Sequence, residues 1–469
     1  MLHSKSTNKT INTENFIPSI LIILFLIVGF IPNFGAVDKI APQWLYLSIL
    51  NIISTIYLVY RRNEFFQRIY KAIFSTISIL YILFFIWALL SYFYAINQIE
   101  VLVNMARQSN TLFMYLHLFI FIYDIKQKNL LVSWFMTLLL AIEVYAVFDQ
   151  AIEMINTSGV ISSGGLKGVT ANRNITAFSI ALKIPFVIYL FEINKNNFIT
   201  VLLMILLFFS FVDISLISSR ASFIAIGLIF LGFTLLHVHK YLFIKKKIFL
   251  KKIVYRFLYF IVPLIMSLIV NQIYFSSKGA DAISRAGTIA ISTSDDSISK
   301  RLRYYEDVMN YISSNPFIGA GIGNWKLESI NADKLDIDGY IVPYHAHSDF
   351  IQIGAELGLI GFLLYLGIFV MAIYFSLYIF FKSKQPYNNK FFTFILLISL
   401  GVYLIDANLN FPIARPQELA PLAIVLAFIS FYYNQSKENI SNDLNLSSKN
   451  IFKYIFPLFT LLFSFPALS

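Results

Sequence analysis

A succession of long apolar segments is the feature that most restricts the fold of this chain. A helix of about 20 residues crosses the hydrocarbon core of a bilayer. Hydrophobic residues make up 58% of the 469 residues and charged residues only 13%. We therefore predict an all-α polytopic membrane protein with about twelve transmembrane helices. The predicted spans are 16–34, 44–60, 72–96, 111–125, 130–152, 174–192, 198–217, 221–238, 253–275, 357–381, 391–411 and 418–433.

The distribution of Lys and Arg predicts the orientation. With the N-terminus in the cytoplasm, the inner loops hold sixteen of these residues and the short outer loops hold six. Basic residues are enriched in cytoplasmic loops, so this bias favours a cytoplasmic N-terminus. No cleavage signature of small residues follows the first apolar segment, and we expect it to be retained as a helix.

One long polar loop interrupts the pattern. We predict a transmembrane domain over residues 1–433, with a periplasmic loop at 276–350 between spans 9 and 10. Leu302, Tyr305, Val308, Met309 and Ile312 form one stripe at helical spacing, so the loop should contain an amphipathic helix on the outer membrane surface, with Ser299 as its N-cap. We predict that residues 434–451 form a cytoplasmic polar linker. Residues 452–469 are a candidate thirteenth transmembrane helix, with a truncated C-terminus as the alternative.

Charge and cysteine content exclude several classes of protein. The formal net charge is +11, which in a membrane protein favours contacts with anionic lipids or phosphates over nucleic acid. The chain has no cysteine, so disulfides, thiolate metal sites and a cysteine nucleophile are excluded. Membrane lipids are the expected surroundings, and no nucleic acid is expected as a partner.

Three arginines at the predicted outer face are candidate ligands of a diphosphate. Arg220 lies between two apolar spans, and Arg301 and Arg303 begin the predicted loop helix. A guanidinium binds phosphate oxygens through two parallel hydrogen bonds and stays charged in a dry site. Asp213 lies seven residues before Arg220 and is a candidate to orient it. Alternatively, each arginine is an ordinary surface charge that reaches toward lipid headgroups or water.

Two histidines close the polar loop in the segment Tyr344-His345-Ala346-His347-Ser348. A histidine titrates near neutral pH and can accept a proton from a substrate hydroxyl. Alternatively, His347 caps the next helix or binds a loop carbonyl. A metal site is a further alternative, and the acidic pair Asp336 and Asp338 lies nearby, but no compact ligand set is visible.

Two further features have structural explanations. The glycine run 319–323 lacks the strand and the Lys-Ser/Thr of a phosphate-binding loop, so we interpret it as a hinge. Glu143 and Lys183 lie at membrane depth, where charges are costly. We expect them to form an ion pair, with a position lining the substrate cavity as the alternative.

The motifs resemble those of the O-antigen ligase-like family. His347-Ser348, nine residues, Gly358, two residues and Gly361 match the family's His-[Asn/Ser/Gln] and Gly-x-x-Gly pattern. Similar motifs precede it in the same order, and the resemblance covers roughly residues 70–435. They are Trp87-Ala-Leu-Leu-Ser91, Gly168-x3-Asn172-x-Asn174, Ser219-Arg220-Ala221, Arg301-Leu-x2-Tyr305, Asn315-Pro-Phe-Ile-Gly-Ala-Gly-Ile-Gly-Asn324 and Ala355-Glu-Leu-Gly-Leu-Ile-Gly-Phe362.

The resemblance implies a multi-helical C-type glycosyltransferase in the bacterial inner membrane, with a periplasmic active site. Such enzymes move an oligo- or polysaccharide from undecaprenyl diphosphate to an acceptor with inversion, without nucleotide or metal and with no cofactor. By this resemblance His347 is the general base, and Arg220 and Arg301 hold the diphosphate. Expected substrate-binding residues are Arg303, His345, Asn172 and Ser348. One departure concerns Tyr305, where the family usually has tryptophan, and Arg303 adds a cation, so either loop arginine could be the essential one.

The acceptor separates three outcomes within this family. A ligase joins the glycan to lipid A-core, a polymerase to another glycan repeat, and a protein O-oligosaccharyltransferase to Ser or Thr. We favour the ligase. A polysaccharide transporter or flippase is the alternative from another class, but it would predict inverted repeats and broken helices in matching halves, which this sequence does not show.

Overall fold

A computed structural model of the chain describes residues 16–244, 249–279, 296–333, 344–438, 456–460 and 463. Every regular element within these ranges is helical. The α-helices are α1 (Phe16–Leu26), α2 (Ala41–Tyr60), α3 (Arg62–Ile73), α4 (Thr76–Leu90), α5 (Gln98–Ile122), α6 (Lys128–Ser158), α7 (Arg173–Ile193), α8 (Asn197–Ile217), α9 (Arg220–Ile244), α10 (Phe249–Val270), α11 (Asp296–Ser314), α12 (Trp325–Asp333), α13 (Asp349–Phe381), α14 (Tyr387–Leu409) and α15 (Pro416–Glu438). Side-chain oxygens of Ser75, Asn97, Asn172, Asn196 and Ser348 accept first-turn N–H groups and fix five of the helix starts.

The prediction of a polytopic all-helical membrane protein is confirmed. In the described ranges, ten helices are long and apolar enough to cross a membrane, and each coincides with a predicted span. The predicted span 16–34 coincides with a shorter apolar helix, Phe16–Phe30. The predicted span 111–125 forms the second half of α5, whose first half carries Glu100, Asn104 and Arg107. Most of the predicted segments 434–451 and 452–469 lies outside the described residues.

The centre of the bundle is α7, in which nearly every residue is buried. It carries Lys183, whose Nζ lies 3.0 Å from both carboxylate oxygens of Glu143 on α6. Ser179 Oγ lies 2.7 Å from the ammonium and donates to Glu143 Oε1 at 2.6 Å. The predicted ion pair is therefore confirmed. A buried charge pair needs such added hydrogen bonds to offset its loss of hydration.

The long helix α13 is interrupted at Gly358, which adopts φ 64° and ψ −169°. Only glycine adopts such a conformation without strain, and a Cβ atom here would lie 2.2 Å from the carbonyl oxygen of Phe317. The break frees the carbonyls of residues 355–357 from the helix. They accept hydrogen bonds at 2.8–2.9 Å from Ala320 N, Gly321 N and Trp87 Nε1. The glycine run thus donates two backbone hydrogen bonds to the carbonyls that the break exposes. This is a more specific structural role than the hinge that the sequence predicted.

A small second hydrophobic core packs the polar loop against the bundle. Its buried residues are Val308 on α11, Trp325 on α12, Ala346 before α13, and Ala355 on α13. The helix α11 begins at Asp296, so the prediction that Ser299 is its N-cap is wrong. The predicted apolar stripe is divided, because Val308 faces this core while Leu302 and Met309 are 43% and 50% exposed. One side of this helix therefore packs in the second core, while Leu302 and Met309 remain on the protein surface.

Candidate active site

The two histidines lie in the histidine loop, residues 344–348, directly before α13. Ser348 is the N-cap of this helix, and its Oγ accepts the Ile351 N–H at 3.4 Å. Both imidazole rings contact Phe411, which follows α14. His345 stacks on it with ring centroids 4.2 Å apart, and His347 meets it edge-on at 5.6 Å. The start of α13 and the end of α14 thus hold both rings in one place.

His347 has an unusual backbone held by a neighbouring phenol. Its φ of 55° lies in the left-handed region, which costs a residue other than glycine on the order of 1 kcal/mol. The Tyr305 hydroxyl lies 3.0 Å from the His347 carbonyl oxygen and 3.1 Å from that of Asn408, so its single proton bridges α11, the histidine loop and α14. The Tyr304 ring lies parallel to the imidazole, with centroids 6.2 Å apart. Nδ1 of His347 is buried without a hydrogen bond to any described residue.

Both histidines are neutral at physiological pH. Burial and, to a smaller extent, the positive charge of Arg301 lower the pKa of His347 to about 4. Burial likewise lowers the pKa of His345 to about 4, although the hydrogen bond that its Nδ1 donates to Gln352 Oε1 favours the charged form. The expectation of titration near neutrality is therefore wrong for this state of the site. A neutral imidazole is the form that accepts a proton.

Three arginines form a chain of electrostatic interactions next to the histidine loop: Arg301 acts on His347, and Arg173 and Arg220 act on Arg301. Burial lowers the pKa of the Arg301 guanidinium, and the charges of Arg173 and Arg220 lower it again. Arg220 is the first residue of α9 and Arg173 the first residue of α7, so two helix N-termini add partial positive charge there. Like charges repel and are costly to hold together. The cluster is therefore preorganised for an anion with more than one negative charge.

His345 belongs to a separate chain of hydrogen bonds. Its Nδ1 lies 3.3 Å from Gln352 Oε1, which also accepts the Ala346 N–H at 3.2 Å. Gln352 Nε2 in turn donates to Glu356 Oε1 at 3.0 Å. The amide oxygen can only accept, so Nδ1 of His345 carries the proton and Nε2 has the free lone pair. The positive charges of Arg415 and Arg107 act on His345, whereas Arg301 acts on His347.

Comparison with protein families adds a direct observation. Residues 204–366 match the family model described as O-antigen ligase. The chain carries an O-antigen ligase family domain. The expectation of an enzyme, a membrane glycosyltransferase of the O-antigen ligase family, is confirmed, and its reaction is of the ligase or polymerase type, which transfers a lipid-linked glycan. A search of the curated proteins finds no match to this chain.

The O-antigen ligase domain contains most of the predicted site. It spans the second half of α8, α9 to α12, the histidine loop and α13 up to its third turn beyond the break. Arg220, Arg301, Arg303 and both histidines lie within it. Asn172 and Arg173 lie outside it, on the N-terminus of α7.

The structure brings some predicted residues of the O-antigen ligase site together and gives others a local role. Arg301 interacts electrostatically with His347 and with Arg220, whereas Arg303 lies with its guanidinium 5.7 Å from the Tyr304 ring centroid. The Asn172 side chain caps α7, and Ser348 caps α13. Gly358 and Gly361 belong to the break and the turn after it; a Cβ at Gly361 would lie 2.3 Å from Leu357 Cβ. The Asp213 carboxylate makes no hydrogen bond to any described residue, so the expected bond to Arg220 is not observed. Asp336 and Asp338 lie outside the described residues.

Several site residues were missed by sequence reasoning. Arg173 was not among the predicted site residues, although its place directly after the cap Asn172 marks it as the first residue of a helix. Tyr304, Phe411 and Gln352 carry no local signal, because each reaches the histidines from another helix or across one helical turn.

Proposed function

We propose that this protein transfers a glycan from undecaprenyl diphosphate to an acceptor hydroxyl at the periplasmic face of the bacterial inner membrane. We further propose that the chain crosses this membrane about twelve times, with its N-terminus in the cytoplasm. The observation that supports the proposal is the interaction of a neutral His347 with Arg301, on which the charges of Arg173 and Arg220 also act.

The arginines act on the leaving group. When the bond between the anomeric carbon and the diphosphate oxygen breaks, negative charge develops on the diphosphate. Arg220 and Arg301 are fixed cations that stabilise this charge without reorganisation, and Arg173 adds a third. Arg303 is proposed to contact the donor from the Tyr304 side of the cluster.

The histidine acts on the acceptor. His347 takes the proton of the acceptor hydroxyl while the oxygen attacks the anomeric carbon from the face opposite the diphosphate, so the configuration inverts. General base catalysis of this kind typically contributes about 10²- to 10⁴-fold. A bound diphosphate offsets the charge of Arg301 and raises the pKa of His347, which makes it a better base once the donor is present. His345, Ser348 and Asn172 are proposed to support substrate binding around this centre.

The candidate acceptors are the three that the family resemblance implies. We propose lipid A-core, as in a ligase, with another glycan repeat or a protein hydroxyl as the alternatives. Purified protein with a synthetic polyprenyl diphosphate glycan and each acceptor in turn tests both the reaction and the acceptor.

Arg220→Lys is the informative variant in this assay, with Lys167→Arg as a charge-preserving control in the neighbouring loop. A lysine keeps the charge but lacks the fork that binds two phosphate oxygens. We expect transfer to fall at least about tenfold in Arg220→Lys and to stay unchanged in the control. Full activity of Arg220→Lys would contradict the diphosphate role, and wild-type protein that transfers to none of the acceptors would contradict the proposed function.

A further inference from the structure

A polar cavity lies at the end of the bundle opposite the histidine loop. It has a volume of ≈ 570 Å³ and is lined by Lys126, Lys128, Asn129, Asn388, Tyr189 and Gln435, among others. Asn388 is the second residue of α14 and Asn408 nearly the last, so about 30 Å of helix separates this cavity from the histidine loop. The reaction proposed above does not use it.

The cavity is positively charged, and its two lysines form no ion pair with any described residue. Lys128 makes no hydrogen bond or ion pair with any described residue, and its Nζ lies 3.9 Å above the Phe431 ring centroid. Lys126 is exposed and likewise makes no such bond within the described ranges. The carboxylate that faces Lys128 is Asp124, which is already paired with Arg68 at 2.5 Å. Two ammonium groups and several amides thus surround space that suits an anion.

An apolar groove adjoins the cavity. It has a volume of ≈ 440 Å³ and is lined by Ile125, Leu131, Trp134, Phe135 and Leu138, among others. Gln127 and Leu130 line both spaces, so the polar cavity opens beside the groove. Trp134 and Leu138 are 38% and 53% exposed on the apolar outside of α6, a predicted span, where lipid chains are the surrounding solvent. The two spaces together match a charged head with an attached acyl chain.

We propose that this site binds an anionic phospholipid, with the phosphate between Lys126 and Lys128 and one acyl chain along Trp134. Basic pockets between transmembrane helices at the cytoplasmic side suit anionic headgroups. The sequence-based orientation places these lysines at the cytoplasmic end. A free phosphate shares the headgroup chemistry, but it gives no reason for the apolar groove that continues from the cavity.

Fluorescence of Trp134 tests the proposal directly, since the chain has four tryptophans. Full-length protein in detergent is titrated with phosphatidylglycerol whose acyl chains carry bromine, a contact quencher, and with phosphatidylcholine brominated in the same way. The difference between wild type and Trp134→Phe isolates the signal of Trp134. We expect saturable quenching of Trp134 by phosphatidylglycerol at lower lipid concentration than by phosphatidylcholine.

Charge variants separate this site from general surface attraction. Each lysine near an anionic lipid is worth roughly fivefold in affinity, so Lys126→Gln/Lys128→Gln should weaken phosphatidylglycerol binding about thirtyfold. Lys126→Gln alone should weaken it about fivefold, which keeps the test valid if the double variant folds poorly. The control is Lys382→Gln/Lys384→Gln, two exposed lysines at the same end that line neither space, and we expect less than about a threefold change.

Three results would overturn the proposal. These are equal quenching of Trp134 by the two lipids, equal weakening in the control double variant, and displacement of phosphatidylglycerol by millimolar inorganic phosphate, which would make this a site for a free anion.

Discussion

The phenol of Tyr305 offers the sharpest test of how the fold holds the proposed base. Its hydroxyl lies within 3.1 Å of the carbonyls of His347 and Asn408, and His347 is held in a left-handed conformation that it would not favour alone. Tyr305→Phe removes this bridge and keeps the ring. We therefore expect the imidazole to leave its productive orientation for part of the time.

The magnitude follows from the bond that is lost. A hydrogen bond of this kind contributes about 0.5–1.5 kcal/mol, so kcat should fall about two- to tenfold. The arginine cluster keeps its contacts, and the donor KM should stay within about twofold. Steady-state transfer from a polyprenyl diphosphate glycan, with donor and acceptor varied separately, measures both quantities.

Two matched variants complete the test. Tyr304→Phe removes a hydroxyl that makes no hydrogen bond to described residues while leaving the ring parallel to His347, and we expect no change. Tyr305→Trp restores an N–H donor and should recover part of kcat. An unchanged kcat in Tyr305→Phe, or an equal loss in Tyr304→Phe, would refute the reasoning.

Two other predictions concern pH and the bundle centre. His347 must be neutral to accept a proton, and its pKa is lowered to about 4. We therefore expect kcat/KM to stay constant as the pH falls from 7 to about 5 and to decline below that. A decline of kcat/KM that is centred at or above the ordinary histidine pKa of about 6.5 would contradict the burial argument. Lys183→Met leaves Glu143 buried without its partner and should cost about 3–5 kcal/mol of stability, seen as a large fall in Tm in detergent, whereas Lys183→Met/Glu143→Gln should recover most of it. An equal Tm in wild type and Lys183→Met would show that the pair contributes nothing.

The apolar pattern predicted most of the bundle but misplaced some helix starts. Hydropathy begins the predicted span 357–381 at Leu357, whereas α13 begins at Asp349. The extra turns carry the polar residues Asp349, Gln352 and Glu356, of which Gln352 contacts His345 and Glu356 contacts Gln352. Polar residues give no hydropathy signal for a membrane span. In the same way, α5 begins at Gln98 and not at 111, and its polar residues Gln108, Ser109 and Asn110 are buried inside the protein.

The sequence predicted the reactive residues of the proposed site better than the residues that pack around them. Arg220, Arg301 and His347 follow from charge, position and the motif that ends at Gly361. Arg173, Tyr304 and Phe411 do not, because contacts between elements far apart in sequence leave no local pattern. Gly358 is an intermediate case: its motif was visible, but its break in α13 and the three donors that fill it depend on tertiary packing.

The most direct test of the central claim separates donor binding from chemistry in His347→Ala. Donor affinity is measured by titration of a labelled polyprenyl diphosphate glycan, and a single turnover then measures transfer to the acceptor, with His345→Ala as the matched variant in the same loop. We predict that His347→Ala binds donor within about threefold of wild type and transfers at least about 10²-fold more slowly, while His345→Ala loses less. Wild-type transfer by His347→Ala, or a larger loss in His345→Ala, would contradict His347 as the base.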